Sequence, residues 1–324
     1  MKKNIRVIAT EEHFESPFDD ASFAQKNEQQ RTEEAIKMGA KHIADMDAAG
    51  VDIQVLTPGS ANRKYLVGKE DIDYTANTNR FLYEMVKHYP GRLEGFAIVP
   101  MSDPEAAADE LVRAVTEYGF KGLQLNSNIN GSYLDNPSLE PIFKQAAKLD
   151  IPIYLHPALP SKDLFNMLYA SDSYSKELAG MMSRAGWGWH IETGLSLLRL
   201  VMSGLFDRYN TLQIMVGHMG EALPFMLPRI ETRLSKQLTK LDRSVSEYLR
   251  GNVHYTFGGF NFLPTFINLY MQMGADRIIY STDYPHADQI ESVNFLHNLP
   301  ICEADIHRIA YKNAEKLLKI SQKS

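Results

Sequence analysis

Eight short β-rich runs recur along the chain, and longer amphipathic segments separate them. The runs are "IRVIA" (5–9), "VDIQVL" (51–56), "LEGFAIV" (93–99), "GLQLN" (122–126), "IPIYLH" (151–156), "LQIMVGH" (212–218), "VHYTF" (253–257) and "RIIYST" (277–282). Strands that alternate with helices build parallel βα units, and eight such units close a barrel. The intervening segments carry helix punctuation. Residues 32–50 have apolar side chains at helical spacing and end on a glycine suited to a C-cap. Residues 103–119 open with Asp103 as N-cap and Pro104 at the first helical position, and they also close on glycine. Residues 136–150 and 303–320 continue the alternation. The competing doubly wound open sheet calls for a glycine-rich phosphate loop after an early strand, and no GxGxxG or GxxxxGKS/T motif occurs. The pattern predicts an α/β chain folded as a (β/α)8 TIM barrel, one domain spanning residues 1–324. Two connections exceed simple loops, at 14–33 after the first strand and at 157–195 after the fifth. Long βα insertions of this kind lie over the catalytic face and shape its pocket.

Composition narrows the function classes. The net charge of −6, with no clustered basic residues, argues against a nucleic-acid surface. Cys302 is the single cysteine, so no intrachain disulfide forms and a reducing, cytoplasmic setting is expected. The start "MKKNIRVIATEEHF" is basic but lacks the sustained apolar stretch of a signal peptide, and no run approaches the span of a bilayer, so no membrane association is expected.

In such a barrel the chemistry gathers at the C-terminal ends of the strands. Those ends carry Glu11, Glu12 and His13 on the first strand, Asn126 and Asn128 on the fourth, His156 on the fifth, His218 on the sixth and Asp283 on the eighth. Strand alternation puts Glu11 and His13 on one face and Glu12 on the other. A single histidine at a strand end is more often a hydrogen-bonded structural residue than a ligand. Four strand ends that all carry ligand-type residues point instead to a borderline divalent cation such as Zn2+, Mn2+ or Fe2+. The absence of thiolates excludes a closed structural zinc site of the cysteine type.

The segments "EEHF" (11–14), "YLHP" (154–157), "SGLFDRYN" (203–210), "GHMGE" (217–221), "LPRIETR" (227–233) and "STDYP" (281–285) keep order and spacing over the whole chain. This pattern resembles the metal-dependent amidohydrolase superfamily. Within it, the likeness is to the branch of aminocarboxymuconate-semialdehyde decarboxylase and, nearest, to the 2,6-dihydroxybenzoate (γ-resorcylate) decarboxylase type. Most hydrolytic members begin with His-x-His, whereas this chain has Glu11-x-His13. The carboxylated lysine of the binuclear hydrolases is also missing, since Lys121 stands at the wrong end of strand four. The resemblance implies one divalent metal ion, Zn2+ or Mn2+, held by Glu11, His13, His156 and Asp283. It implies Asp283 as the acid that protonates the ring carbon of a hydroxybenzoate, with His218 orienting it and Glu221 fixing the His218 ring. It further implies that Arg229 and Asn126 contact a small aromatic carboxylate, and that the chain assembles as a homodimer or homotetramer. Trp187, Trp189 and Phe18 are candidate stacking residues, though aromatics in long loops more often pack; His190 and His286 are weaker candidates. The rival reading is a hydrolase of an amide, lactone or cyclic ester, or a hydratase of an unsaturated dicarboxylate, with Asp283 as a base. A barrel that binds metal without catalysis is the third, and retention of both His218 and Asp283 speaks against it.

Overall fold

The computed structural model describes residues 5–20, 22–59 and 66–321; the basic start of the chain lies outside them. Eight parallel strands follow one another in sequence order around the sheet. They are β1 Ile8–Phe14, β2 Ile53–Pro58, β3 Leu93–Ala97, β4 Gly122–Asn126, β5 Ile153–His156, β6 Ile214–Val216, β7 Val253–Thr256 and β8 Ile278–Ile279. Between the ends of the sheet, Thr10 N donates to Tyr280 O (3.2 Å) and Asp283 N to Glu11 O (3.0 Å). These bonds join β1 to the segment that follows β8 and bring the barrel round on itself.

The core obeys the two-residue period of a strand. Ile8, Ile53, Val55, Phe96, Tyr154, Met215 and Ile279 meet inside the barrel, with Ala314 and Leu318 of the helix Asn313–Leu318 packed against them. Their neighbours Leu56, Ala97, Leu123, Leu155, Val216 and Tyr255 face the helical layer. Parallel strands covered on both faces must read as continuous apolar runs, which is why the eight runs are legible.

β1 departs from the expected outline: "EEHF" lies inside the strand rather than beyond its tip. Its pairing with β2 moves from Ala9↔Gln54 to Glu12↔Leu56, three residues against two. One extra residue at Thr10–Glu11 makes a β-bulge, and a bulge shifts the facing of everything after it. Ile8 points inward; an uninterrupted strand would then have turned Glu12 inward and Glu11 out. The bulge reverses this.

β6 and β8 are shorter than their apolar runs. His218 and Asp283 therefore sit on turns just past the strands, with φ of 50° and 64°. Left-handed backbone is unusual for non-glycine residues and concentrates where function over-determines it. The helix expected from residue 32 begins earlier, as Glu28–Ala49, because Asn27 and Gln30 form a capping box. The region 303–320 is not one continuous α-helix: a π-turn, Arg308–Lys312, interrupts it. The insertion after β5 folds as helices Lys162–Leu168 and Lys176–Ser183 and the start of Gly188–Met202. Among the described residues no helix is long and apolar enough to cross a membrane.

Candidate active site

Glu11 stands inside the barrel and is fully buried. Its Oε1 accepts a hydrogen bond from Tyr154 Oη at 2.5 Å. Its Oε2 accepts from Thr256 Oγ1 and, at 3.2 Å, from Ser281 Oγ. Space for the carboxylate comes from residues that lack a side chain. A Cβ on Gly217 would lie 2.1 Å from Oε1, and one on Gly258 would lie 2.8 Å from Oε2. Burial raises the Glu11 carboxyl above its ordinary value, with the His218 ring opposing the effect.

His13, His156 and Asp283 gather on the same side. His13 Nε2 is 3.4 Å from Asp283 Oδ1, and the His13 and His156 rings are 5.0 Å apart edge to face. His156 Nδ1 lies 2.7 Å from the carbonyl of Pro157. A carbonyl only accepts, so Nδ1 carries the proton and Nε2 keeps its lone pair. Burial, with the His13 and His218 rings nearby, holds His156 well below the usual imidazole range and so neutral. Burial would raise Asp283, but the His13 and His218 rings outweigh it and hold the carboxylate below its ordinary value. His13 Nδ1 is buried with no hydrogen-bond partner among the described residues. A neutral imidazole with its outer nitrogen tied to a carbonyl, a second imidazole and two carboxylates form a donor set that fits one borderline divalent cation.

Glu221 binds two histidines. Its Oε1 accepts from His218 Nδ1 at 2.8 Å and its Oε2 from His190 Nδ1 at 2.6 Å. Sequence reasoning ranked His190 low because the insertion that carries it has no period to read. Ligand-type atoms of His190, His218 and Glu221 lie within 4.8 Å of one another, a second place where a cation has suitable donors. Both Glu221 oxygens accept from imidazole N–H groups, and the Glu11 oxygens are engaged as well, by the Tyr154, Thr256 and Ser281 hydroxyls. Burial disfavours a charged His218, yet the Glu221 and Glu11 carboxylates overcome it and push the ring up to about 10.

These groups open onto a cavity of about 470 Å³. His156, His218 and Asp283 line its barrel side, and Arg184, Trp189 and His190 line it from the insertion. His286 is exposed on its loop and also lies at the wall, its ring 5.8 Å from that of His13. The other candidates fall elsewhere. Trp187 is 58% exposed, and Phe18 packs on Phe23 and Phe81. Asn126 pairs in register with His156 but lines a separate cavity beside β3 and β4. Arg229 is exposed on the helix Leu223–Arg233 and does not line the site cavity of its own chain. The motif match could place it on that helix but could not tell which face it takes.

Comparison with known proteins bears on this arrangement. Residues 24–320 match the family model described as amidohydrolase. The chain belongs to the amidohydrolase family. Among its relatives is a gamma-resorcylate decarboxylase from Polaromonas sp. (strain JS666), 33% identical, with 97% of this chain and 99% of that protein covered. A crystal structure of a dihydroxybenzoic acid decarboxylase from the same strain, with bound manganese and the inhibitor 2-nitroresorcinol, superposes with a TM-score of 0.84 at 31% identity over 97% of both chains. The 5-carboxyvanillate decarboxylase of Novosphingobium aromaticivorans, complexed with manganese and 4-hydroxy-3-methoxy-5-nitrobenzoic acid, gives 0.82 at 30% identity, covering 99% of this chain and 98% of that one. This member of the amidohydrolase family thus shares its barrel with manganese-binding decarboxylases along nearly its whole length.

Proposed function

We propose that this amidohydrolase-family member is a metal-dependent, non-oxidative decarboxylase of a hydroxybenzoate-type acid. What supports the reading is the approach of His13 to both Asp283 (3.4 Å) and the His156 ring (5.0 Å), with the buried Glu11 3.8 Å from His218 Nδ1 and the His218–Glu221 pair beside it. Glu11, His13, His156 and Asp283 would hold one divalent ion, manganese as in the neighbours or zinc. That ion supplies positive charge to bind and polarise the carboxylate and ortho-hydroxyl oxygens of the substrate.

The chain's own residues manage the proton. Direct loss of CO2 would leave an aryl carbanion, so the ring carbon that bears the carboxylate must be protonated first. The ring loses aromaticity, the carbon–carbon bond breaks, its electron pair returns to the ring and CO2 departs; one proton is consumed per turnover. His218 holds a proton firmly because Glu221 balances its charge. Asp283, kept as a carboxylate by the His13 and His218 rings, first takes up the proton consumed in each turnover and then presents it to the ring carbon. General acid catalysis of this kind supplies ~10²–10⁴-fold in rate. The cavity walls from the insertion, Trp189 among them, enclose the ring. The setting is cytoplasmic, and the assembly is a homodimer or homotetramer.

Turnover of a hydroxybenzoate panel by manganese-loaded protein in deuterium oxide tests the reading. Deuterium should appear at the vacated ring carbon of the product. No CO2 release across the panel, with turnover of lactones instead, would overturn it.

A further inference from the structure

Glu12 is fully buried, points away from the cavity and takes no part in the chemistry above. Its carboxylate is nonetheless aimed at the active site from behind. Oε1 accepts from the backbone N–H of Thr282 at 2.7 Å. Oε2 accepts from the Thr282 hydroxyl and, at 3.3 Å, from the backbone N–H of Tyr284. Asp283 lies between those two residues, and its own N–H ends on Glu11 O at 3.0 Å. Three consecutive backbone donors, 282, 283 and 284, are therefore all captured by residues 11 and 12. On the far side Glu12 is braced by the helical layer. Gln54 Nε2 approaches Oε2 at 3.5 Å, and Gln54 also bonds His42 Nδ1 (2.9 Å) and Gln289 Oε1 (3.2 Å). Tyr284 is tied independently, through its hydroxyl to Asp45 Oδ2 at 2.6 Å.

The grip matters because Asp283 has φ of 64°, a conformation a non-glycine residue abandons unless its surroundings impose it. Burial pushes the Glu12 carboxyl up to about 8, so the grip is one of geometry rather than of charge: its two oxygens take the Thr282 and Tyr284 N–H bonds and the contact with the Thr282 hydroxyl. We propose that Glu12 is a positioning residue: by gripping the backbone on both sides of Asp283 it fixes the direction in which that carboxylate meets the metal and the substrate. The inference rests on the role assigned to Asp283 above. It separates the two glutamates of β1 by task. Glu11 acts from inside the barrel, and Glu12 holds the end of the opposite edge from outside it.

The test compares Glu12→Ala and Glu12→Gln with Gln289→Met, which disturbs the same buried network without touching residues 282–284. Mn2+ affinity is measured by equilibrium dialysis, thermal stability by calorimetry, and kcat and KM with a hydroxybenzoate that the unaltered protein turns over. Groups that orient metal ligands typically account for ~10–100-fold in affinity or activity. Glu12→Ala should weaken Mn2+ binding by that factor and lower kcat more than it raises KM. Glu12→Gln should recover part of the loss, since its single carbonyl oxygen can still take one of the two backbone donors. Gln289→Met should lose stability and keep Mn2+ affinity. If both Glu12 variants bind Mn2+ as Gln289→Met does, and turn over as fast, the positioning role is wrong. Should Glu12→Ala fail to fold, the same comparison is decided by Glu12→Gln. Asp283→Asn separates the two claims: if it retains metal affinity and activity, the role of Asp283 falls; if it loses them while the Glu12 variants do not, Glu12 alone is refuted.

Discussion

His254 is buried and His218 partly so, near opposite ends of the barrel, and their surroundings push the two rings in opposite directions. At the mouth, His218 sits against Glu221 and near Glu11, and their carboxylates push it up to about 10 against the cost of burial. Toward the floor, burial and the Arg277 guanidinium, 3.3 Å from His254 Nε2, push that ring down to about 3. The same residue type is thus a stored proton in one place and a neutral packing group in the other. What differs is the company. The mouth collects acids, inward-facing glycines and left-handed backbone, all costly features in a core. The floor is filled with Ile8, Phe96, Met215 and Ile279, and its buried histidine is kept as the neutral ring.

The sharpest way to probe this contrast is to add one methyl group at each end. Gly217→Ala would place a Cβ 2.1 Å from Glu11 Oε1, so Mn2+ binding and turnover should fall by at least ~10²-fold, beyond what one lost orienting contact costs. Gly122→Ala, at the start of β4, would crowd the Phe96 ring at 2.8 Å. It should cost about 1–3 kcal/mol of stability and leave Mn2+ affinity unchanged. Equal loss of metal affinity in both variants would erase the distinction.

Protonation gives the next largest effect, best read on chelator-treated protein by denaturant unfolding across pH. His254 is depressed in the folded state, so the unfolded chain takes a proton there more readily. Its contribution is intact above about 6.5 and is lost as pH falls toward about 3. His218 is raised, so its contribution is intact below about 6.5 and is lost as pH rises through about 10. Stability should therefore decline on both limbs, each by on the order of a few kcal/mol. His254→Leu should flatten the acid limb alone, and His218→Phe the alkaline limb alone. A variant that changed the other limb would break the assignment. The smallest expected effect is that of Tyr154→Phe, which removes the 2.5 Å bond to Glu11 while keeping the ring, and should weaken Mn2+ binding about tenfold.

Much of this was written plainly in the chain. The eight runs are legible because strands covered on both faces cannot hide their apolar character. Glu11, His13, His156 and Asp283 could be singled out as candidates because ionisable side chains at strand ends have no packing role to fill. Other features depend on contacts that no period encodes. His190 reaches Glu221 across 31 residues from an insertion without strand or heptad rhythm. The left-handed backbone at His218 and Asp283 falls on residues other than glycine, so composition does not announce it. Arg229 belongs to a recognisable motif, but a motif carries no exposure, and the arginine lies on the outer side of its helix.

The extra residue in β1 has a consequence for how the chain tolerates change. Upstream of it, Ile8 answers only to the fit of the barrel floor; downstream, Glu11 to His13 answer only to the chemistry of the mouth. The two phases meet at a splice, so either half can drift in sequence without dragging the other out of step. β1 is in that sense two strands joined end to end, one inherited by the scaffold and one by the reaction.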